Sequence, residues 1–246
     1  MESDAVSKFR TQANEKAAKL HEHILSLPAE RFRGQPWTLI AAIEEFATSI
    51  QLPMLFRRPK IDVVRGVLAA LEPKPKLVVE FGTFVGTSAL AWGAILKELN
   101  GADAAGGVRV YTCELNPKLV QTARDLLELA GLDDVVSVLE GPGSDSLKKL
   151  YAEGKVKEGQ LDMVFLDHWE KFYLPDLRLC EELKLFRKGS VAVADNTDYP
   201  GAPKYLEYVK KGGSGEAGSV RYESKSLLAK SEAGASVVEV SEVVET

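Results

Sequence analysis

Two hydrophobic periods succeed one another along the chain. Phe9, Ala13, Ala17, Leu20 and Ile24 recur at helical spacing and predict a helix from residue 1 to about 27, which Pro28 ends. Pro36 and Trp37 open a second helix with Leu39, Ile40, Ile43 and Phe46 on its inner face, and a third covers 63–71. The pattern then changes to short, mostly apolar runs at 77–80, 108–113, 135–139, 163–166 and 191–194, with helical stretches between them. The run at 163–166 is unbroken, which suits a parallel strand covered on both faces. Strands alternating with helices predict a right-handed, doubly wound α/β sheet. Two last runs, 220–222 and 235–240, follow a glycine-rich connection at 210–218 and predict an antiparallel pair at one edge.

In open α/β sheets ligands bind beyond the carboxyl ends of the strands. The run at 163–166 passes directly into Asp167, His168 and Trp169, and the run at 191–194 into Asp195 and Asn196. Neighbouring strands would bring these tips within ~5 Å. Asp167, Asp195 and Asn196 would then aim three oxygen ligands at one point, which suits a hard cation such as magnesium. The alternative is local: Asp167 caps the next helix and Asp195-Asn196 makes a turn. That both tips are acidic favours the metal.

The first βα turn runs from Glu80 to Ser88, with Gly82 and Gly86 four residues apart. This spacing is not the dinucleotide fingerprint, and Glu80 ahead of it would repel phosphate while suiting an amine or a sulfonium. Glu114 ends the second strand, where doubly wound folds grip a ribose hydroxyl pair. The turn at 141–145 follows the third strand; Ser144 or Asp145 is expected to cap the next helix, and its N–H groups could face an adenine edge. The loop at 51–60 holds Met54, Leu55 and Phe56 between Pro53 and Pro59; it either lines a pocket or tucks into the core. His21 and His23, two apart, cannot share a helix face and read as surface residues.

Composition narrows the field. The 246 residues are 45% hydrophobic and 27% charged, ordinary for a globular chain, and no linker divides them. A single domain over 1–246 is expected, with helices and a covering loop in 1–71 and the sheet in 77–246. The formal charge of −5 argues against a nucleic-acid partner. No apolar run reaches the roughly 18 residues of a membrane span, and the N-terminus lacks the apolar core of a signal peptide. Cys113 and Cys180, one in a predicted strand and one in a predicted helix, fit two reduced thiols. A soluble, cytoplasmic protein is expected, its oligomeric state open.

The stretches VVEFGTFVGTSA, TCELNP, LDMVFLDHWEKFYLPD, LFRKGSVAVADN and PGAP occur in that order over residues 77–206. Through them the chain resembles the S-adenosylmethionine-dependent methyltransferases, and among these the catechol O-methyltransferases. The resemblance implies a Rossmann-like methyltransferase sheet. It also implies Mg2+ held by Asp167, Asp195 and Asn196, and a small phenolic substrate chelated through a catechol-type pair of hydroxyls. Glu114 with Leu115 would hold the ribose side of S-adenosylmethionine. Gly82, Phe84 and Ser88 would line its methionine end near Glu80, with Met54 and Phe56 covering it. Gly143, Ser144, His168 and Trp169 would surround the adenine.

Three positions depart from the family. Its general-base lysine follows the tryptophan, where this chain has Glu170, with Lys171 next. A lysine one residue further along a helical turn points ~100° away, so Glu170 is favoured as the base over Lys171. The family's glutamate for the second hydroxyl falls near Ser226, Leu227 and Leu228, and a tryptophan of its substrate gate falls on Leu52. A catalytically impaired relative that binds S-adenosylmethionine as a sensor or partner is therefore the competing reading. A nicotinamide-dependent dehydrogenase on the same fold is disfavoured by the missing glycine motif.

Overall fold

The computed structural model describes residues 4–101, 107–231 and 234–246. Residues 1–3, which the first predicted helix included, lie outside the described residues. The helices are α1 (Asp4–Ser26), α2 (Pro36–Ser49), α3 (Arg58–Ala70), α4 (Thr87–Asn100), α5 (Pro117–Ala130), α6 (Gly143–Ala152), α7 (Tyr173–Glu182) and α8 (Pro203–Lys210). The strands are β1 (Leu77–Phe81), β2 (Arg109–Glu114), β3 (Val136–Glu140), β4 (Leu161–Leu166), β5 (Phe186–Ala194), β6 (Arg221–Ser231) and β7 (Gly234–Glu245).

One sheet of seven strands takes the order β3-β2-β1-β4-β5-β7-β6. β1 to β5 are parallel, and β7 runs antiparallel between β5 and β6. This is the doubly wound, Rossmann-like sheet with an antiparallel edge that the hydrophobic pattern predicts. The closing hairpin is much longer than the two short runs expected. Polar residues such as Ser224, Ser226, Glu239 and Ser241 lie within its paired strands and hide the alternation.

Each face of the sheet carries its own apolar layer. On one side α1 to α5 pack over Val78, Val110, Phe165, Val193 and Val240; on the other α6 to α8 pack over Val79, Phe81, Val164, Ala192 and Ala194. Complete burial of one such aliphatic or aromatic side chain contributes roughly 1.5–3 kcal/mol. α4 buries all of Thr87 to Leu96, as a helix pressed between sheet and α2 must. Asn116 caps α5 by accepting the Lys118 N–H (3.0 Å).

Several local expectations change. Ala13, Ala17, Leu20 and Ile24 are buried, but Phe9 is 47% exposed. At that end of α1 it is Arg10, the next residue round the helix, that faces the protein, over the Trp169 ring. The two histidines are not free surface residues: His21 Nε2 meets Asp125 Oδ2 (2.8 Å), and His23 stacks on Phe46 (3.8 Å between centroids). Neither Ser144 nor Asp145 caps α6. The helix starts earlier, at Gly143, with Pro142 in the cap position and no side-chain cap. Leu52 is buried in the core and gates nothing. Cys113 and Cys180 are free and buried, and burial pushes the Cys113 thiol up to about 12.

Candidate active site

Four neighbouring strands deliver four acids toward the same edge of the sheet. Across the order β2-β1-β4-β5 these are Glu114, Glu80, Asp167 and Asp195. Leu166 and Ala194 are register partners, so the two aspartates leave adjacent strand tips, and the Asp195 N–H still bonds the Leu166 carbonyl (3.1 Å). On the other flank the Asp167 N–H donates to the Phe81 carbonyl (2.9 Å), tying this tip to β1. That closeness explains Gly82. A Cβ there would lie 2.5 Å from the Asp167 carbonyl oxygen, and its φ of +99° is one that glycine adopts freely.

The two aspartates are electrostatically uncomfortable. Burial, then the charges of Asp195 and Glu80, push Asp167 well above the usual carboxylate range. Burial also raises Asp195, which is 4% exposed, and Lys60 opposes the rise. Lys60 Nζ, from the first turn of α3, donates to both Asp195 oxygens at 2.6 and 2.9 Å. Asn196 follows in a left-handed conformation (φ 53°), and its amide nitrogen donates to the Tyr199 carbonyl (3.3 Å). Among the described residues no three His, Cys, Asp or Glu side chains converge as a metal cluster. The set on offer is two carboxylates and one amide oxygen. A cation already sits against it, in the form of an ammonium, so the donor chemistry fits a hard metal ion.

The β1–β2 side is braced differently. Glu114 accepts backbone N–H groups on both oxygens, from Phe84 and from Asn116, each at 2.9 Å. Phe84 has a φ of 50°, which turns its amide into that bond. Glu80 is fully buried; Trp92 Nε1 donates to one oxygen (3.2 Å) and the other has no partner. Burial raises Glu80 to about 7, with the polar Ser88, Thr112 and Trp92 side chains around it opposing the rise. Phe56 lies beneath, 2% exposed and in ring contact with Trp92 and Phe165; it is a floor of the core and shows no face to solvent. Met54, two residues earlier, is 52% exposed.

Beyond β3 and β4 the walls are aromatic. His168 Nε2 bonds Asp176 Oδ2 (2.7 Å), while its Nδ1 is buried without a partner. Gly143 is a glycine for packing, because a Cβ there would lie 2.2 Å from the Phe81 ring. Ser144 beside it is partly buried, and Leu115 across the opening is exposed. Trp169 has a cation on its ring from each of two elements: Arg10 (4.4 Å to the centroid) and Lys171 (3.5 Å). Lys171 is thus turned onto the indole and onto Phe172, whereas the charge of Glu170 is felt at Asp167.

Lys60, Arg10, Asp176 and the buried Tyr173 hydroxyl, which has no partner, were not foreseen. Lys60 left a trace: it sits four residues before Val64 and one before Ile61, beside the inward face of α3. At the β6–β7 edge, Leu227 packs on the same apolar layer as Val238, its register partner, one residue beyond the Ala194–Glu239 pair. An apolar side chain therefore stands level with Asp195.

Residues 66–211 match the model of a family described as O-methyltransferase. The chain is 36% identical over 195 residues to a catechol O-methyltransferase of Bos taurus, a match covering 79% of this chain and 66% of that protein. It therefore spans just under two thirds of that relative's length. A catechol O-methyltransferase of Sus scrofa is 40% identical over 139 residues, 56% of this chain and 69% of that protein. Among solved structures, an O-methyltransferase from Bacillus cereus in complex with SAH superposes with a TM-score of 0.63 at 21% identity, covering 85% of this chain and 91% of that one. It shares the fold. Sequence and sheet together show that this chain belongs to the O-methyltransferase family, among relatives of the catechol O-methyltransferases.

Proposed function

We propose that the chain, acting as one domain over residues 1–246, is a magnesium-dependent O-methyltransferase. It moves the methyl group of S-adenosylmethionine to one hydroxyl of a catechol-type pair on a small aromatic. The observation that carries this reading is the acid pair Asp167 and Asp195 on adjacent strand tips, with a side-chain ammonium already drawn to it. The names of its catechol O-methyltransferase relatives support the acceptor class. A small-molecule reaction in the cytoplasm, with no nucleic acid and no membrane partner, agrees with the formal charge of −5. Among the described residues no helix is long and apolar enough to cross a membrane.

Asp167, Asp195 and Asn196 would hold Mg2+, which when bound lowers the pKa of a coordinated phenol from its ordinary ~10. S-adenosylmethionine supplies an electrophilic methyl on a sulfonium. Glu114, with Leu115 beside it, would take the ribose. Both its oxygens keep a lone pair beyond the backbone bonds they already accept. The unpartnered oxygen of Glu80 would face the cationic end, along which Gly82, Phe84 and Ser88 lie. Gly143, Ser144, His168 and Trp169 would enclose the adenine, Met54 would close over the cofactor, and Phe56 would support it from below. Glu170 would accept the proton of the acceptor hydroxyl, since Lys171 is engaged with Trp169. The residues' main contribution is positioning and the exclusion of water.

Leu227 and Glu170, where the family has a glutamate and a lysine, favour a second reading: a relative that binds S-adenosylmethionine but has lost catechol turnover. Incubation with methyl-labelled S-adenosylmethionine and a panel of catechols, followed by mass analysis, separates the two. Labelled methyl ethers formed only with Mg2+ support the enzyme. Cofactor binding without product on any catechol supports the second reading, and the absence of both overturns each.

A further inference from the structure

We infer that Lys60 is a built-in competitor for the metal position, holding Asp195 in the metal-free protein and leaving it when a divalent ion enters. The inference rests on the metal reading of Asp167, Asp195 and Asn196 given above. Its own observation is the two-pronged contact of one ammonium with both Asp195 oxygens, at 2.6 and 2.9 Å. Neither partner is a loose surface group: the Lys60 side chain is 16% exposed and that of Asp195 5%. A contact this short and this sheltered is much stronger than an exposed ion pair, which contributes little.

The ammonium supplies at these acids the positive charge that a bound metal ion would supply. Three acids, Glu80, Asp167 and Asp195, crowd together in a region poor in water, and Asp167 feels the charge of each of the other two. Lys60 is the cation that opposes this at both aspartates. A divalent ion bound to Asp195 would stand at contact distance from the ammonium that already holds both of its oxygens, and would repel it. The two cations are alternatives. Metal affinity is therefore set partly by the cost of expelling Lys60, so the site stays closed to metal below a concentration threshold without collapsing when empty.

The first turn of α3 does not depend on Lys60. Glu44 Oε1 accepts the Arg58 N–H (2.5 Å), and Ile61 and Val64 are fully buried. Lys60→Met should therefore keep the helix in place and preserve the length of the side chain while removing its charge.

The test measures Mn2+ binding to the cofactor-free protein by the paramagnetic resonance signal of the free ion. Wild type, Lys60→Met and Lys60→Arg are compared. Competition predicts that Lys60→Met binds Mn2+ tighter by about tenfold or more, the weight of one lost charge-assisted contact, and that Lys60→Arg stays near wild type. Equal or weaker binding by Lys60→Met would show Lys60 to be a brace for the metal site and would overturn the inference. No Mn2+ binding by any form would instead remove the metal reading, and the inference with it. A second measurement needs no variant: acetic anhydride labelling of wild-type Lys60, read by peptide mass, should rise several-fold when Mg2+ saturates the protein. Unchanged labelling on saturation counts against displacement.

Discussion

Two acids stand at the ends of strand β4, the buried Asp162 near its start and the half-buried Asp167 just past its end, and the two have opposite fates. Asp162, at the lower end, is completely engaged: it accepts the Lys76 and Leu77 N–H groups (2.7 and 2.9 Å) on one oxygen and the Arg187 guanidinium on the other. Asp167, just past the upper end, makes no side-chain hydrogen bond among the described residues and is pressed by the carboxylates of Asp195, Glu80 and Glu170. The first carboxylate is neutralised by the fold and locks β4 to the start of β1 and to β5. The second has no such partner and is the one proposed to meet a cation. Identical residues, a few positions apart in the chain, thus differ by their partners alone.

The contrast can be broken most severely in stability. Asp162→Ala leaves the Arg187 charge without its carboxylate and two backbone N–H groups unbonded, and should cost about 3–5 kcal/mol in denaturant unfolding. Asp167→Asn removes repulsion without removing a bond, so in the absence of metal and cofactor it should be neutral or stabilising by about 1 kcal/mol. Equal losses in the two variants would erase the distinction.

The proposed cofactor side sharpens it, because Glu114 is braced by backbone N–H groups and is also the proposed ribose ligand. Glu114→Ala should weaken S-adenosylmethionine binding by about 1.5–3 kcal/mol in calorimetry, from the loss of charge-assisted hydrogen bonds. Unchanged affinity would move the ribose elsewhere.

Glu80 lies between these extremes and gives a pH signature. Its pKa is raised from 4.5 to about 7 in the empty site. The folded protein therefore binds more protons than the unfolded chain between these values, and this group's contribution to cofactor-free stability falls as pH rises through them. A cationic ligand favours the ionised form. S-adenosylmethionine affinity should consequently rise between about pH 5.5 and 7.5, by at most about tenfold per unit, and then level off. Glu80→Gln should flatten that curve, measured by calorimetry across the range; a curve equally steep in the variant would assign the effect to another group.

The smallest effect concerns the proton acceptor. Glu170→Gln should lower the transfer rate chiefly below neutral pH, where solvent hydroxide cannot replace it, while Lys171→Ala should change it little. A wild-type pH–rate profile for Glu170→Gln would exclude that carboxylate as the base.

The doubly wound sheet, and the acids Asp167 and Asp195 at two strand tips, could be read from the chain because both depend on local signals. Mostly apolar runs mark buried strands, and an acid directly after such a run marks a strand tip. What escaped came from long-range packing. Lys60 lies 135 positions from Asp195. Arg10 reaches Trp169 from the first helix. Phe56 lies in a loop, as its prolines suggest, but is buried against Trp92 of α4 and Phe165 of β4. The hairpin was underestimated because its serines and Glu239 interrupt the period that identifies a strand. Gly143 appeared to serve a ligand, yet the Phe81 ring alone would require it.

The account turns on the acid pair at the tips of β4 and β5 binding a divalent ion that the reaction needs. Methyl transfer from labelled S-adenosylmethionine to a catechol, followed against buffered free Mg2+, tests this most directly. The rate should rise from near zero to a plateau in wild type. In Asp167→Ala and Asp195→Ala it should stay lower by about a thousandfold or more, in keeping with several kcal/mol of metal assistance, although both variants remain folded by circular dichroism. Asn196→Ala, which removes a neutral ligand, should fall between. Transfer that persists unchanged in excess chelator would contradict the account.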